Sequence, residues 1–230
     1  MPIANFWERY AINLNFGKKD HGKPQLGYEW FSGNVPDDVI QTRLDDMVRT
    51  RLRPTVTKKM DVLEIGCGGA RIGSRVAPLC STYTGLDASK QMLKIAAEEF
   101  RKRRISNFKL VLGNGRSIPL PVGSFDLVFS YDVLVHFPIH LAVRYLQESF
   151  RALDSGGRLI AHFAKVTDDR IADHLISETD QRMDLPPGTP GHWIEYTDPE
   201  TIGRAAKRIG FEVENVQTEE ARFWIFARKP

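Results

Sequence analysis

The residues best suited to ligand binding lie in one glycine-rich turn that runs from Glu64 to Arg71. Apolar strand-type residues lead into Gly66 and Gly68, and apolar residues at helical spacing follow the turn. A strand that enters such a turn at the start of a helix brings bare backbone close to a ligand. The dinucleotide pattern G-x-G-x-x-G would need a glycine at the position of Arg71, and the acidic Glu64 would repel a phosphate. The turn therefore favours a cationic ligand over a dinucleotide.

A second acidic residue follows the next predicted strand. Asp87 lies 19 residues after Gly68, and an acid at about this offset can bind ribose hydroxyls. Asp is also a favoured N-cap residue, so the alternative role for Asp87 is to cap the following helix.

The elements that must position these residues alternate between strand-type and helical periodicity. The predicted strands are residues 60–65, 82–86, 108–112, 125–130, 158–163, 211–216 and 222–227. Strand and helix in alternation imply right-handed crossovers and a parallel sheet with helices on both faces. The last two strands follow a helix that opens with a capping box at residues 197–200, and no helix separates them, so they must be antiparallel. We predict a doubly wound α/β fold with a mostly parallel seven-stranded sheet and an antiparallel C-terminal hairpin.

Two segments lie outside this predicted core. Residues 1–56 contain an aromatic-rich stretch and an amphipathic helix, and we expect them to form an N-terminal cap ahead of a domain at residues 57–230. Residues 164–197 separate the fifth strand from the last helix. A connection of this length is typical of a lid or binding loop, so we expect residues 164–197 to cover the substrate.

Composition is that of an intracellular globular protein. Hydrophobic residues make up 42% and charged residues 27% of the chain, with a net charge of +3. This charge is too small to indicate nucleic acid or a membrane surface as partner. The two cysteines, Cys67 and Cys80, cannot form a disulfide framework. With no visible signal peptide and no apolar run of about 20 residues, we expect a cytoplasmic protein without a membrane span.

In these motifs the chain resembles the class I S-adenosylmethionine-dependent methyltransferases, in their small-molecule branch. The first motif of that family is an acid followed by glycines at alternate positions, which Glu64, Gly66 and Gly68 match. An acid after the second strand and a terminal antiparallel hairpin are also features of the family. The resemblance implies a Rossmann-like methyltransferase fold, S-adenosyl-L-methionine as cofactor and a small-molecule methyl acceptor as partner.

The same resemblance assigns residues to the cofactor. It implies that Asp87 holds the cofactor ribose and that the side-chain carbonyl of Asn114 accepts the adenine amino hydrogen. Arg71 is a candidate partner for the cofactor carboxylate. The cofactor-binding residues implied are Glu64, Gly66, Cys67, Gly68, Arg71, Asp87, Ala88, Met92, Asn114, Gly115, Arg116 and Ser130.

Acceptor binding and catalysis are assigned from the strand ends, where open α/β sheets bind their ligands. Tyr131 and His136 are the predicted catalytic residues, with His136 as a base or substrate anchor, and Asp132 is nominated beside them. The predicted substrate contacts are Tyr28, Trp30, His162, His192 and Trp193. A buried core histidine is the alternative for His162. The ligands of the family's magnesium-dependent branch are not matched, so we expect no metal.

Other functions stay open at this point. The basic run at residues 101–104 is compatible with an RNA methyltransferase. Ala70 and Asn114 depart from the motifs of the methyltransferase family, which is compatible with a non-catalytic protein that binds the cofactor. A nicotinamide oxidoreductase is the remaining alternative, against which Arg71 argues. The pattern leaves open whether oxygen or nitrogen is methylated and whether the protein is an oligomer.

Overall fold

Seven strands form one sheet in the computed structural model of the chain, which describes residues 36–184 and 194–230. The strands are β1 (Asp61–Ile65), β2 (Thr82–Asp87), β3 (Phe108–Leu112), β4 (Phe125–Ser130), β5 (Leu153–Ala164), β6 (Glu212–Glu219) and β7 (Arg222–Arg228). Their order across the sheet is β3-β2-β1-β4-β5-β7-β6. Strand β7 is antiparallel to β5 and β6, and the other neighbours pair in parallel. The predicted fold class and the terminal hairpin are confirmed.

Helices connect the strands on both faces of the sheet. They are α1 (Asp37–Met47), α2 (Gly73–Val76), α3 (Lys90–Lys102), α4 (Ile139–Ala152), α5 (Asp169–Met183) and α6 (Pro199–Ile209). A π-helical turn (Val48–Leu52) continues α1, and a 3-10 turn (Leu134–His136) follows β4. Within the described residues, no helix has the length and apolarity needed to span a membrane.

The alternation of side chains along each strand divides the core between the two faces of the sheet. Val62 packs on one face in a buried cluster that includes Ile40 of α1, while Leu63 packs on the other with Leu146 of α4 and Ile202 of α6. Complete burial of an aliphatic side chain of this size contributes about 1.5–3 kcal/mol. The apolar runs of β1, β2 and β4 are buried on both faces because helices cover each face, whereas the edge strand β3 is only half-buried.

Helix α1 belongs to this core. Leu44 and Met47 of α1 and Leu52 of the following turn are buried in the same cluster as the sheet residue Val62. The boundary predicted after residue 56 therefore does not separate two hydrophobic cores in the described part of the chain. The aromatic stretch of the predicted cap lies outside the described residues.

The predicted lid segment contains a helix, α5, that the sequence pattern did not indicate. After residue 193 the chain returns to the sheet, where Tyr196 forms a parallel bridge with Ala164. The amide of Thr197 donates to the carbonyl of Ala164 at 2.9 Å. The cap of α6 is Asp198, whose carboxylate accepts from the amide of Thr201 at 2.7 Å. The predicted capping box, which begins at Thr197, is therefore wrong by one residue, because the amide of Thr197 is still hydrogen-bonded to the end of β5.

Candidate active site

The glycine-rich turn after β1 adopts a backbone that few residues tolerate. Gly66, Gly68 and Ala70 have φ angles of 73°, 50° and 65°, in the left-handed region that favours glycine. A Cβ on Gly66 would lie 2.7 Å from Cγ1 of Val133, whereas a Cβ on Gly68 would point into open space. Gly66 is therefore required by packing, and Gly68 leaves an open cradle above the backbone.

The end of β2 holds this turn in place. The amides of Gly66 and Cys67 donate to the carbonyl of Leu86 at 2.7 and 3.1 Å. One carboxylate oxygen of Asp87 accepts from the amide of Gly68 at 2.8 Å, and the other accepts from the amide of Ser89 at 2.9 Å. Asp87 therefore lies at the cradle in a fixed orientation. The cap of α3 is Ser89, whose hydroxyl accepts from the amide of Met92, so capping is not the role of Asp87.

Glu64 lies beneath the turn rather than in the cradle. Its side chain is 2% exposed and accepts a hydrogen bond from the Tyr83 hydroxyl. Tyr83 reaches Glu64 because residue 73 is glycine: a Cβ on Gly73 would overlap the tyrosine ring. Burial raises the pKa of Glu64 to about 8, against the lowering effects of the Tyr83 hydrogen bond and the Arg71 charge. The buried thiol of Cys67 lies nearby, and burial raises its pKa as well.

The remaining residues assigned to the cofactor lie after β3, at the start of α3 and at the end of β4. Asn114 follows β3, and its side-chain oxygen accepts from the amides of Arg116 and Ser117 at 2.8 and 3.0 Å. This turn leaves Asn114 and Arg116 exposed and Gly115 buried. Ala88 and Met92 are half-buried at the start of α3, and the hydroxyl of buried Ser130 donates to the carbonyl of Ile65 at 3.3 Å. Contacts of these residues with the cofactor stay predictions.

Arg71 points toward the end of β4. Its Nη2 donates to Oδ2 of Asp132 at 2.9 Å, and its guanidinium carbon lies 5.5 Å from the centre of the Tyr131 ring. This contact uses part of the guanidinium, which has five N–H donors, so the role of Arg71 as partner of the cofactor carboxylate stays a prediction. Burial alone would raise the pKa of Asp132, but the charges of Arg71 and two histidines outweigh burial and hold the pKa at about 2. Asp132 is therefore an anion held by a cation.

His162 of β5 packs beside this ion pair. Its Nδ1 accepts from the backbone amide of Asp132 at 3.3 Å, and its ring lies 5.0 Å from Tyr131 and 4.6 Å from Trp224. Burial is the main cause that lowers the pKa of His162 to about 4, and nearby arginines lower it further. His162 is therefore neutral near pH 7, and because its Nδ1 accepts a hydrogen bond, its proton is on Nε2.

A cavity of about 890 Å³ opens from this cluster. Tyr131, Asp132, His136 and His162 all line it, so the structure brings together four of the residues nominated from the strand ends. The amide of Glu195 donates to the carbonyl of Val135 at 2.7 Å, which ties the end of the predicted lid to the turn after β4. Helices α1 and α5 and the β6–β7 hairpin complete the walls.

The chain was compared with known proteins at the level of sequence and of structure. Residues 63–161 match the sequence model of a methyltransferase domain. A demethylmenaquinone methyltransferase from Geobacillus sp. is 33% identical over 115 residues, which cover 48% of each chain. The crystal structure of a magnesium protoporphyrin IX methyltransferase from Synechocystis, with bound SAH, has a TM-score of 0.68 at 18% identity and covers 99% of this chain and 98% of its own. A SAM-dependent methyltransferase from Methanosarcina mazei has a TM-score of 0.66 at 17% identity, over 77% of this chain and 96% of its own.

Residues 63–161 form a methyltransferase domain. The resemblance to this family, its fold and its cofactor are confirmed. The chain spans about half the length of the curated relatives it matches. The family assignment also removes the nicotinamide oxidoreductase from the alternatives.

Some of the predicted site residues lie outside the described part of the chain. These are the substrate contacts Tyr28, Trp30, His192 and Trp193. The structure neither places them at the cavity nor away from it, and they stay predictions. Within the described residues, no cluster of His, Cys, Asp or Glu has the arrangement of a metal site.

Most of the residues that line the cavity were not identified from the sequence, among them Arg51, Arg222 and Trp224. Arg51 follows α1, and the other two lie on β7. The alternation of side chains along β7 predicts part of this arrangement. Phe223 and Ile225 are both buried on one face of the sheet, which places Arg222 and Trp224 on the other face. That this face lines a cavity follows only from the position of β7 beside β5.

Proposed function

We propose that the protein transfers the methyl group of S-adenosylmethionine to an oxygen or nitrogen atom of a small-molecule acceptor. The observation that supports this most directly is that a candidate cofactor site and a cavity lie at the same edge of the sheet. The open cradle at Gly68 and the oriented carboxylate of Asp87 occupy the carboxyl ends of β1 and β2, and a cavity of about 890 Å³ lies at the end of β4. In open α/β sheets this edge is where ligands bind.

The residues at the cradle fit the cofactor. Gly68 has no side chain above it within 4 Å, so a flat nucleoside can approach the backbone. Each oxygen of Asp87 accepts one backbone hydrogen bond, and a carboxylate oxygen has two lone pairs, so the ribose hydroxyls can donate to the same group. The cofactor supplies an electrophilic methyl group on a sulfonium centre. What the protein contributes is the placement of the acceptor and the exclusion of water, worth about 7–11 kcal/mol in well-oriented reactions.

Residues after β4 would orient the acceptor. Tyr131 stacks on Trp224 with ring centres 5.6 Å apart, and Arg71 lies against the same tyrosine ring, so its position is well defined. Asp132 is tied to Arg71 and is a weak base, since its pKa is about 2. His162 is excluded as a base near pH 7 because its pKa is about 4. His136, half-buried on the same cavity, is the residue we propose to accept a proton where the acceptor has one to lose.

The named relatives support a small molecule as acceptor. One is a demethylmenaquinone methyltransferase and another a magnesium protoporphyrin IX methyltransferase, and both names specify small-molecule substrates. The cavity volume falls in the range of small-molecule pockets, about 300–1,000 Å³.

Isothermal titration with S-adenosylhomocysteine tests the cofactor site. Loss of two charge-assisted hydrogen bonds, each worth about 1.5–3 kcal/mol, predicts that Asp87→Ala weakens binding by at least about 100-fold. Asp154→Ala is the matched control, because Asp154 is an exposed carboxylate near the start of β5. Equal affinity of Asp87→Ala and the wild type would contradict the assignment.

A second experiment tests catalysis and the acceptor. The full chain is incubated with isotopically labelled methyl donor and a cell extract, and small molecules, RNA and protein are separated. Label in a small molecule is the expected result. Label in RNA would support the alternative acceptor class, and S-adenosylhomocysteine binding without any labelled product would support the non-catalytic alternative.

A further inference from the structure

The part of the cavity next to β7 is built from hydrogen-bond donors. His162 pairs with Trp224 across β5 and β7, and Ala164 pairs with Arg222 in the same register. Side chains two residues apart on a strand share one face of the sheet. His162, Trp224 and Arg222 therefore lie on one face, and all three line the cavity.

Each of the three side chains offers a proton to a ligand and no lone pair. An arginine has five N–H donors and no acceptor, and one donor of Arg222 is used on the carbonyl of Ala221 at 3.2 Å. His162 uses Nδ1 to accept from the Asp132 amide, which leaves Nε2 as a donor. The indole of Trp224 is a donor only.

The indole N–H of Trp224 also lacks a partner. Its Nε1 is buried and finds no hydrogen-bond acceptor in the described part of the chain, although the ring lines the cavity. A buried donor left without an acceptor costs about 1–3 kcal/mol. A ligand that carries an acceptor atom would recover this cost.

The arrangement of charge agrees with an anionic group at this place. Five arginines and five acidic residues line the cavity, so their formal charges cancel. Three of the acids have arginine partners: Asp132 is paired with Arg71, Glu219 with Arg51, and Asp46 with Arg49. Glu178 contacts the imidazole of His174, and its Oε2 finds no hydrogen-bond donor among the described residues. Glu220 lies exposed in the hairpin turn at the rim. No carboxylate partner is found for Arg222 among the described residues.

The cavity also has apolar side chains in its lining, between charged residues of α1 and α5. Ile40, Leu44 and Met47 of α1 and Ile171 of α5 are buried and line it. An acceptor that fits both surfaces has an apolar body and an acidic group at one end.

On the basis of the proposed function, we infer that the methyl acceptor is a molecule with an apolar body and a carboxylate, bound by Arg222, Trp224 and the Nε2–H of His162. A carboxylate matches the site better than a phosphate, because Arg222 is the one cation among the three donors, and Arg51, which lies over the Trp224 ring, is already paired with Glu219. A dianion would leave charge uncompensated.

Titration calorimetry with three probes tests the inference. The probes are 2-naphthoate, 2-naphthylmethanol and 2-naphthyl phosphate, each titrated into the full chain saturated with S-adenosylhomocysteine. We expect 2-naphthoate to bind at least about tenfold more tightly than the alcohol, since a hydrogen bond to a charged group is worth about 1.5–3 kcal/mol. Arg222→Gln should remove this preference, while Arg208→Gln, an exposed arginine of α6 remote from the cavity lining, should retain it.

Trp224→Phe provides a second variant that retains the aromatic ring. It should weaken 2-naphthoate several-fold and leave the affinity of 2-naphthylmethanol unchanged. Equal affinity of the acid and the alcohol, no binding of 2-naphthoate, or a preference that survives Arg222→Gln would overturn the inference. Tighter binding of the phosphate than of the carboxylate would overturn the choice of anion. S-adenosylhomocysteine is titrated first. If it does not bind, the proposed function is contradicted, and the result is distinguishable from a failure of the inference about the acceptor.

Discussion

Replacement of Glu64 by glutamine should change how the stability of the protein depends on pH. Glu64 is buried beneath the glycine-rich turn and its pKa is about 8 in the folded state, compared with 4.5 for the ordinary side chain. Between these two values the folded state holds a proton that the unfolded state has lost. The free energy of unfolding therefore falls as the pH rises through this window.

The magnitude follows from the width of the window. One pKa unit corresponds to about 1.36 kcal/mol, so a difference of about 3.5 units removes on the order of 5 kcal/mol from the wild type between pH 4.5 and pH 8. The amide side chain that Glu64→Gln introduces has the shape of the protonated acid, can accept from the Tyr83 hydroxyl and does not titrate. Relative to the wild type, Glu64→Gln should gain about 5 kcal/mol of stability across the same window.

Urea denaturation at pH 5, 6.5 and 8 measures this difference. The comparison between variant and wild type cancels the titration of other groups, including His162, because those groups are present in both proteins. Asp154→Asn, at an exposed position near the start of β5, is the control and should show no dependence on pH beyond that of the wild type. A difference between Glu64→Gln and the wild type that stays constant from pH 5 to pH 8 would refute the reasoning.

Three further predictions concern neighbouring residues. Gly66→Ala should lose about 2–5 kcal/mol of unfolding free energy, because the left-handed backbone is strained and the new Cβ overlaps a valine. Gly68→Ala should lose only about 1–2 kcal/mol in urea denaturation. It should also bind S-adenosylhomocysteine more weakly, because its Cβ enters the open cradle. A double-mutant cycle of Arg71→Gln and Asp132→Asn should give a coupling energy of about 1–3 kcal/mol, and additive losses would contradict the ion pair. As the pH falls from 6.5 to about 4, the wild type should lose on the order of 3 kcal/mol of unfolding free energy through His162, and His162→Gln should not show this loss. Parallel pH profiles of unfolding free energy for the two proteins would contradict this prediction.

The strands and the fold class were accessible from the sequence because their signals are local. The third and fourth strands, residues 108–112 and 125–130, agree with the structure at both ends. Each is a short apolar run bounded by turn residues, and no distant contact is needed to recognise it. The hairpin of β6 and β7 could be assigned as antiparallel for the same reason, since a connection that short allows no crossover.

The helix α5 could not be recognised in the same way. Its residues lie in a polar segment with a weak apolar stripe, in which Ile171 is buried and lines the cavity. Tertiary contacts of this kind override weak local propensity. The segment was therefore predicted only as a long connection.

Residue types and spacing alone were sufficient to identify the glycine-rich turn, the acid after the second strand and the order of the strands along the chain, because backbone conformation and burial periodicity are properties of neighbouring residues. Side-chain partners were decided by the tertiary structure. Arg71 meets Asp132 across 61 positions of sequence, Glu64 meets Tyr83 through the space left by a glycine, and Trp224 reaches the cavity because β7 inserts beside β5. Such pairings join residues that are far apart in the sequence, and they depend on how the helices and strands pack in three dimensions. No local pattern in the sequence determines this packing.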